Sequence, residues 1–259
     1  MLDGEKQYKI QKDQALALIP ARIGSKGVYK KNIRLLKGYP LIAYSIIAAR
    51  LSDMIDRVIV STDAEEIAVI AEEYGAEVPF LRPAELARDH DGDIGFVSHA
   101  IEWLWENEHH IPEYLVHIRP TTPLREVGII DDAIQIMKKH VDATSLRSGH
   151  LAPESPFKWF VLNESGYFES LSSDISNDAA NSGRQAFRDV YIPDGYVDVL
   201  KSDFVINSGI LHGDNMLGYR SPMCVEVDTE EEFMLLEYQI EKSGSMIYDY
   251  LRGHYDRKE

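Results

Sequence analysis

The chain has 259 residues, 44% apolar and 27% charged, a globular composition that excludes a disordered chain. No apolar run approaches the ~18 residues of a membrane span, and a net charge of −16 disfavours binding to nucleic acid. The single cysteine, Cys224, excludes an intramolecular disulfide and a cysteine-rich zinc site. Together with a charged N-terminus that lacks a signal-like apolar stretch, this predicts a cytoplasmic protein.

Short apolar strands alternate with helical patterns over the first part of the chain. Residues 1–14 are polar and predict an N-terminal arm, and residues 15–259 predict one domain. We expect strands at residues 15–20, 57–61, 77–80, 113–118 and 142–146. We expect helices at residues 40–52, 63–74, 94–110 and 127–140, the second opened by an Asp63–Glu66 capping box and ended by Gly75. This order is typical of a parallel, three-layer α/β sheet.

The pattern changes after about residue 150. Two aromatic-rich runs around residues 163–166 predict a hairpin, and a polar, loop-like stretch follows. Alternating patterns at residues 204–213 and 223–228 predict further strands, and Thr229 with Glu232 predicts a capping box that opens a final helix. We therefore expect residues 150–200 to form an arm inserted in one main domain.

A basic loop follows the first predicted strand, in a chain that is otherwise strongly acidic. Its cations and glycines are Arg22, Lys26, Lys30, Lys31, Gly24 and Gly27. Ligands of a parallel sheet bind beyond the carboxyl ends of its strands, where this loop begins. Glycines let backbone amides approach an anion, and several cations suit a polyphosphate. The spacing matches neither a Walker A motif nor GxGxxG, so the loop predicts phosphate binding of another kind; a mobile, solvated loop is the alternative.

Two carboxylates, Glu226 and Asp228, stand two residues apart in the last predicted strand. The period of two places both on one face of a strand, where they could hold Mg²⁺, which prefers oxygen ligands. The alternative for Asp228 is favourable charge placement at the N-terminus of the helix that follows.

Several motifs resemble those of the acylneuraminate cytidylyltransferases, which make CMP-sialic acids and related CMP-sugars. The opening segment IPARIGSKGVYKKN resembles the family's first signature. The resemblance continues, in order, through PLIAYSI, VIVSTD, RPAELA, RPTTPLR, the RQ pair with a later DG, and VDT. It covers nearly the whole chain.

The resemblance implies a Rossmann-like nucleotide-diphospho-sugar transferase fold with a dimerisation arm. It implies a reaction of CTP with the anomeric hydroxyl of a nine-carbon α-keto acid sugar, giving a CMP-sugar and pyrophosphate, with Mg²⁺ as cofactor and a homodimer as the assembly. It places Arg22, Lys26 and Asp228 in catalysis, and Glu226 with Asp228 at the metal. The nucleotide-binding residues that it implies are Ala21, Arg22, Gly24, Ser25, Lys26, Lys31, Asn32 and Arg82.

On the sugar side, the resemblance implies roles for Arg119, Lys158, Arg184 and Gln185. Arg184 is expected to bind the sugar carboxylate, because a guanidinium forms two parallel hydrogen bonds with it. Arg125 is expected to be structural.

Three positions depart from the family's common pattern. Arg119 stands where sialic acid enzymes often have glutamine, Asp194 replaces asparagine and Asp198 replaces tyrosine. They suggest a sugar pocket altered for other substituents, and leave the sugar open among sialic, legionaminic and pseudaminic acids and the eight-carbon sugar Kdo. The rival of another class is a nucleotide-binding regulatory protein without turnover.

Overall fold

The computed structural model describes residues 8–25, 27–88 and 92–258. Within them a six-stranded sheet lies between two layers of helices, which confirms the three-layer α/β class. The strands are β1 (Ile10–Pro20), β2 (Leu35–Leu36), β3 (Tyr39–Pro40), β4 (Arg57–Ser61), β5 (Ile111–His117), β6 (Ser145–Leu151), β7 (Phe160–Leu162), β8 (Phe168–Ser170), β9 (Tyr191–Lys201) and β10 (Met216–Arg220). The α-helices are α1 (Leu41–Arg50), α2 (Glu65–Glu73), α3 (Asp93–Glu108), α4 (Ile129–Lys139), α5 (Ser202–Ser208), α6 (Glu230–Ser243) and α7 (Met246–His254). None of the helices in these ranges has the length and apolar character needed to cross a membrane.

The main sheet is mixed, where an all-parallel sheet was expected. Its strand order is β10-β6-β9-β5-β1-β4, with β1 parallel to β4 and β5, and β10 parallel to β6. Strand β9 runs antiparallel between β5 and β6. The sequence did not predict β9, because Pro193, Asp194 and Gly195 interrupt its apolar pattern and are poor strand formers.

The apolar run of β1 forms the centre of the molecule because both of its faces are covered. Ala15, Ala17 and Ile19 pack into one core with α1, α2, α4, α6 and α7. Leu16 and Leu18 point the other way, into a second core with α3 and α5. Because successive side chains of a strand point to opposite faces, β1 contacts both layers of helices.

Two predictions about the first part of the chain are wrong in detail. The last residues of the predicted arm, 10–14, belong to β1, and Ile10 pairs with Ile111 of β5. The predicted strand at 77–80 forms only one isolated bridge, between Ile59 and Glu77.

The expected capping box of α2 is absent, although the capping box of α6 is confirmed. The N-cap of α2 is Ala64, because the Asp63 carboxylate accepts a hydrogen bond from the Ile23 amide instead, at 2.9 Å. Gly75 follows the end of α2 with a φ of +87°, as expected of a helix terminator. Thr229 and Glu232 form the reciprocal hydrogen bonds predicted for α6.

The later strand predictions need larger corrections. Strand β6 begins at Ser145, residues 202–208 form the helix α5, and the last strand is β10. Residues 223–228 form no strand; the amide of Val227 donates a hydrogen bond to the carbonyl of Thr121 at 2.8 Å. Alternation alone did not distinguish a paired strand from an unpaired segment or a short helix.

The predicted arm is only partly outside the sheet. Residues 145–151 and 191–201 are the neighbouring strands β6 and β9, and residues 152–190 connect them. That connection contains the expected hairpin, in which β7 and β8 pair antiparallel.

Candidate active site

A cleft of about 390 Å³ opens at the edge of the sheet where β1 and β5 end. This is the position expected for a ligand of an α/β sheet. Both charge signs are present on its wall: the cations are Arg22, Lys31, Arg82, Arg88 and Arg119, and the carboxylates are Asp93, Glu226 and Asp228. The cations could bind phosphate groups and the carboxylates could bind a cation beside them.

The basic loop after β1 forms one side of the cleft, as expected. Arg22, Ser25, Lys31 and Asn32 line it. The Asn32 amide also donates to the carbonyl of Arg22 at 2.8 Å, so Asn32 fixes the shape of the loop. Of the other loop residues assigned to the nucleotide, Lys26 lies outside the described residues. The remaining two, Ala21 and Gly24, are absent from the described wall; Ala21 is buried, and its amide donates to the carbonyl of Ser61.

The loop lies directly against residues 226–228. A Cβ atom on Gly27 would lie 2.1 Å from the backbone oxygen of Asp228, so this approach requires glycine. The Lys31 ammonium donates to the carbonyl of Val227 at 2.8 Å and to the Asp228 carboxylate at 2.7 Å. Loop and segment thus form one unit at the mouth of the cleft.

Glu226 and Asp228 both line the cleft, although the strand from which this was predicted is absent. The Glu226 carboxylate accepts a hydrogen bond from the Thr121 hydroxyl at 3.0 Å. The Glu232 carboxylate accepts from the Asp228 amide at 2.6 Å, which ties this residue to the first turn of α6. The segment is fixed by contacts with other elements rather than by a sheet ladder.

Arg82 is a buried cation at the wall of the cleft. Its Nε donates to the Ser61 hydroxyl at 3.1 Å, and its guanidinium carbon lies 5.0 Å from the centre of the Phe96 ring. Burial lowers the pKa of Arg82 to about 10, while Asp63 and Asp93 oppose that shift. Arg82 therefore stays charged at neutral pH and offers a preorganised positive charge to an anion.

The RPTTPLR turn supplies one half-buried and one buried arginine. Arg119 lines the cleft and forms an ion pair with Asp93, the first residue of α3, at 2.7 Å. Arg125 is 4% exposed, and its guanidinium donates to the carbonyls of Arg119, Gly195 and Tyr196. As expected, Arg125 is structural: it holds the turn against β9.

A row of polar side chains, two of them buried and the third half-buried, runs from the cleft across three strands. His117 of β5 pairs in register with Asp198 of β9, which pairs with Arg147 of β6. His117 Nε2, Asp198 Oδ1 and Arg147 Nε are buried without a hydrogen-bond partner among the described residues. Arg147 also lines a second cavity of about 350 Å³, together with Tyr191 and Arg220. The row therefore leads from the cleft to this second cavity.

Burial shifts the pKa values of two members of this row in opposite directions. Burial lowers the pKa of His117 to about 3, so this imidazole is neutral at physiological pH. Burial raises the pKa of Asp198 to about 6, while Arg147 and Arg119 oppose that shift. Such opposed shifts beside a cleft are frequent at functional sites.

Asp194, the other acidic departure, is 2% exposed and lies outside the described wall of the cleft. Its carboxylate accepts hydrogen bonds from the hydroxyls of Ser148 and Ser221. Burial, together with the nearby Asp194 carboxylate, raises the pKa of the Cys224 thiol to about 12. In the described structure, the contacts of Asp194 hold β9 against β6 and against residues 221–224.

Three residues assigned to the sugar lie away from this cleft. Lys158, Arg184 and Gln185 are exposed and belong to the connection between β6 and β9. The Arg184 guanidinium donates to the carbonyl of Ala152 at 3.0 Å. Of the four expected sugar-side residues, the described wall contains Arg119 alone.

Sequence reasoning missed several residues of the site. His117 ends the strand that was predicted to point at the ligand edge, so its position was a usable signal. Asp93 and Phe96 come from the N-terminus of α3, next to residues 89–91, and no motif marked them. Asp198 and Arg147 could not be paired because β9 was not predicted.

The chain resembles curated proteins over much of its length. It is 31% identical to the CMP-N,N'-diacetyllegionaminic acid synthase of Campylobacter jejuni over 88% of this chain and 95% of that protein. It is 41% identical to the N-acylneuraminate cytidylyltransferase of Escherichia coli over 47% of this chain, a match that spans 27% of the longer E. coli protein.

A solved structure shows the same fold. CMP:2-keto-3-deoxy-manno-octonic acid synthetase, complexed with CTP, superposes with a TM-score of 0.63 at 16% identity, covering 88% of this chain and 99% of that one. The fold is thus Rossmann-like, as expected. The sequence profile of the family described as "Cytidylyltransferase" matches residues 16–195. The location of the cleft, the basic loop on its wall and this match together lead to one conclusion: the chain belongs to the cytidylyltransferase family.

Proposed function

We propose that this protein transfers the cytidylyl group of CTP to the anomeric hydroxyl of a sialic-acid-like nonulosonic acid. The hydroxyl oxygen attacks the α-phosphorus, the bond from that phosphorus to the bridging oxygen breaks, and pyrophosphate leaves. The observation that carries the proposal is the cleft at the ends of β1 and β5, where the basic loop faces Glu226 and Asp228. A cytoplasmic location stays the expectation from the sequence.

Charge neutralisation is the main contribution of the protein's own residues. A triphosphate brings several negative charges, and Arg22, Lys31 and Arg82 offer positive charge on one wall of the cleft. Arg82 is held by Ser61 before any ligand binds, so little reorganisation is needed at the transition state. We assign Lys26 to the same task from its motif.

Glu226 and Asp228 fit a magnesium site by the chemistry of their donors. Both are carboxylates on the cleft wall, and Mg²⁺ is bound in proteins by one or two carboxylates together with substrate phosphates. Asp228 is 71% exposed at its side chain, so the ion pair with Lys31 leaves the carboxylate accessible. When bound, Mg²⁺ would neutralise phosphate oxygens and orient them.

We place the acceptor sugar over the row formed by His117, Asp198 and Arg147. The buried Asp198 Oδ1 and Arg147 Nε lack hydrogen-bond partners among the described residues, although Arg147 Nε lies 3.9 Å from Asp198 Oδ2. Hydroxyl or acylamino groups of a sugar could supply these hydrogen bonds. The row begins at the cleft, which keeps the acceptor close to the nucleotide. The acidic departure at position 198 would then help to select the sugar's substituents.

We propose a homodimer formed through the hairpin of β7 and β8. The apolar side chains exposed there are Trp159, Phe160, Val161, Leu162, Tyr167 and Phe168. A cluster of this kind is typical of an association surface. Since Lys158, Arg184 and Gln185 lie on the same connection and away from the cleft of their own chain, we propose that they complete the site of the other copy.

The direct test is pyrophosphate release from CTP with a panel of acceptors: N-acetylneuraminic, legionaminic and pseudaminic acids, and Kdo. We expect release that depends on one of the nine-carbon acids, and a loss of about three orders of magnitude in Asp228→Asn, since several kcal/mol of charge stabilisation disappear. Asp249→Asn, an exposed carboxylate on α7, is the matched control.

Two outcomes would change the assignment. Release with Kdo alone would move the substrate to the eight-carbon sugar. CTP binding measured by calorimetry, without release with any acceptor, would favour the regulatory nucleotide-binding protein.

A further inference from the structure

A cluster of potential metal ligands lies outside the described wall of the cleft. His150, Asp194 and Cys224 come from β6, β9 and the segment before α6, and one donor atom of each lies within 4.8 Å of the others. Cys224 is the single cysteine of the sequence. We propose that these three residues bind a divalent transition metal of the zinc type.

The donor set selects the class of metal. Imidazole, carboxylate and thiolate together suit Zn²⁺ or Co²⁺, whereas Mg²⁺ prefers oxygen ligands alone. The site would therefore discriminate against the magnesium that we assign to Glu226 and Asp228.

The spacing of the donors agrees with a tetrahedral ion. Zn–N and Zn–O bonds of about 2.0–2.1 Å place the two ligand atoms ~3.3 Å apart at a tetrahedral angle. His150 Nδ1 and Asp194 Oδ2 are 3.2 Å apart. A metal could bind between these two atoms without a backbone movement, and Cys224 is close enough to supply the third ligand.

The surroundings of Asp194 orient the carboxylate as metal-binding carboxylates require. The Ser148 hydroxyl donates to Oδ1 at 2.7 Å, the Tyr196 amide donates to the same oxygen at 3.1 Å, and the Ser221 hydroxyl donates to Oδ2. Hydrogen bonds of this kind fix ligating carboxylates in known metal sites.

An irregularity in the sheet creates this arrangement. Arg147 pairs with Asp198, but Gly149 pairs with Pro193, so residues 194–197 bulge opposite Ser148. A bulge of this kind re-aims a side chain, here that of Asp194. The ion would join β6, β9 and the segment that carries Glu226, and would stabilise that wall of the cleft.

The test uses Co²⁺ as a spectroscopic probe of the intact 259-residue chain. Coordination by a thiolate gives an intense near-ultraviolet charge-transfer band, and with a single cysteine in the chain that band reports on Cys224 alone. We expect one equivalent of Co²⁺ to produce the band, Zn²⁺ to abolish it, and excess Mg²⁺ to leave it unchanged.

Two variants measure how much a ligand and a supporting residue contribute to metal binding, and a third variant is the control. Cys224→Ser should lose the band, because the thiolate is gone. Its Zn²⁺ affinity, measured by competition with a chromophoric chelator, should fall by more than ~100-fold, which is the most that loss of a residue supporting a ligand typically costs. Ser221→Ala keeps all three ligands and should weaken binding by about 10–100-fold. His140→Ala, which removes an exposed histidine at the C-cap of α4 outside the cluster, should change neither reading.

A wild-type measurement keeps the proposal testable if a variant does not fold. Zn²⁺ should slow the alkylation of Cys224, and Mg²⁺ should not. Absence of the cobalt band, equal zinc affinity in Cys224→Ser, or alkylation that Zn²⁺ does not slow would each overturn the proposal. None of these readings uses pyrophosphate release, so their failure is distinct from a failure of the proposed function.

Discussion

Single residues at this site act through close packing as well as through charge. Gly27 permits the basic loop to touch the backbone of Asp228. Arg82 and Arg125 are both buried guanidiniums that donate to a serine hydroxyl and to a backbone carbonyl, but Arg82 lines the cleft and Arg125 is absent from its described wall. Because the two arginines differ in position rather than in chemistry, residue type alone does not separate their roles.

Gly27→Ala should therefore damage catalysis more than folding. A Cβ atom would lie 2.1 Å from the Asp228 oxygen, so the loop or the segment must move. A displacement near 1 Å can cost ~100-fold in rate, and we expect kcat/KM for CTP to fall by about that factor. Gly253→Ala in α7, where a Cβ meets open space, is the control and should stabilise the protein by ~0.5–1 kcal/mol. Unchanged kcat/KM in Gly27→Ala would contradict this account.

Asp198 should make stability depend on pH. Its pKa, raised by burial to about 6, means that the folded protein binds this proton more tightly than the unfolded chain. The stabilisation is complete below pH ~4 and is lost as the pH rises through about 6, a change of roughly 2–3 kcal/mol. Asp198→Asn, which stays neutral, should gain that amount relative to wild type between pH 4 and 7.5 in denaturant unfolding.

The exposed Asp249 serves as the comparison for this substitution. Asp249→Asn makes the same change of carboxylate to amide at a side chain that is 58% exposed, so it controls for the substitution itself. If the difference between Asp198→Asn and wild type did not vary with pH, the burial account of Asp198 would be wrong.

At the scale of elements, helix ends contribute to the geometry of the site. The first turn of α6 is fixed by the capping box of Thr229 and Glu232, and the Glu232 carboxylate also accepts from the Asp228 amide. Helix α7 has a cap of its own, in which Ser245 accepts from the Tyr248 amide, but this cap contacts no residue of the cleft wall that we describe. Loss of either cap should therefore lower the stability of the protein, but only loss of the α6 cap should also affect the site.

Glu232→Ala and Ser245→Ala should destabilise the protein to a similar degree, by about 0.5–2 kcal/mol for the loss of a cap. Only Glu232→Ala should raise the Mg²⁺ concentration needed for half-maximal pyrophosphate release, by roughly tenfold, as expected when a partner of a ligating residue is lost. Thermal unfolding and a magnesium titration measure the two effects. Equal magnesium requirements in both variants would show that the cap does not position Asp228.

For the whole molecule, the distribution of exposed apolar side chains is uneven. The hairpin of β7 and β8 carries Trp159 and Phe168, which are 48% and 64% exposed, and the sugar-side residues lie on the same connection. The proposed dimer would cover these side chains and bring Arg184 to the cleft of another copy. This arrangement predicts that each active site contains residues from both copies.

Complementation between two inactive variants tests that prediction. Asp228→Asn lacks the metal ligand of its own cleft, and Arg184→Ala lacks the residue offered to the other copy. Random pairing of equal amounts after refolding together should restore about a quarter of the wild-type sites, since one site of each mixed dimer is intact. No recovery, or a monomer by light scattering, would overturn the shared site.

The sequence by itself determined the α/β class, the basic loop, the family and the capping box before α6. These depend mostly on local patterns, because strand and helix periods and motifs are properties of neighbouring residues. The equally local Asp63–Glu66 box failed because Asp63 binds the distant Ile23 amide. The sequence also placed Glu226 and Asp228 together, although the strand used for that argument does not exist.

Only the tertiary structure decided where β9 lies, and with it the row of His117, Asp198 and Arg147 and the cluster around Asp194. A strand that contains proline, glycine and two acids forms because its neighbours, β5 and β6, supply the hydrogen bonds and pair with its buried polar groups. That support comes from residues far away in the chain, so no local pattern could have revealed it.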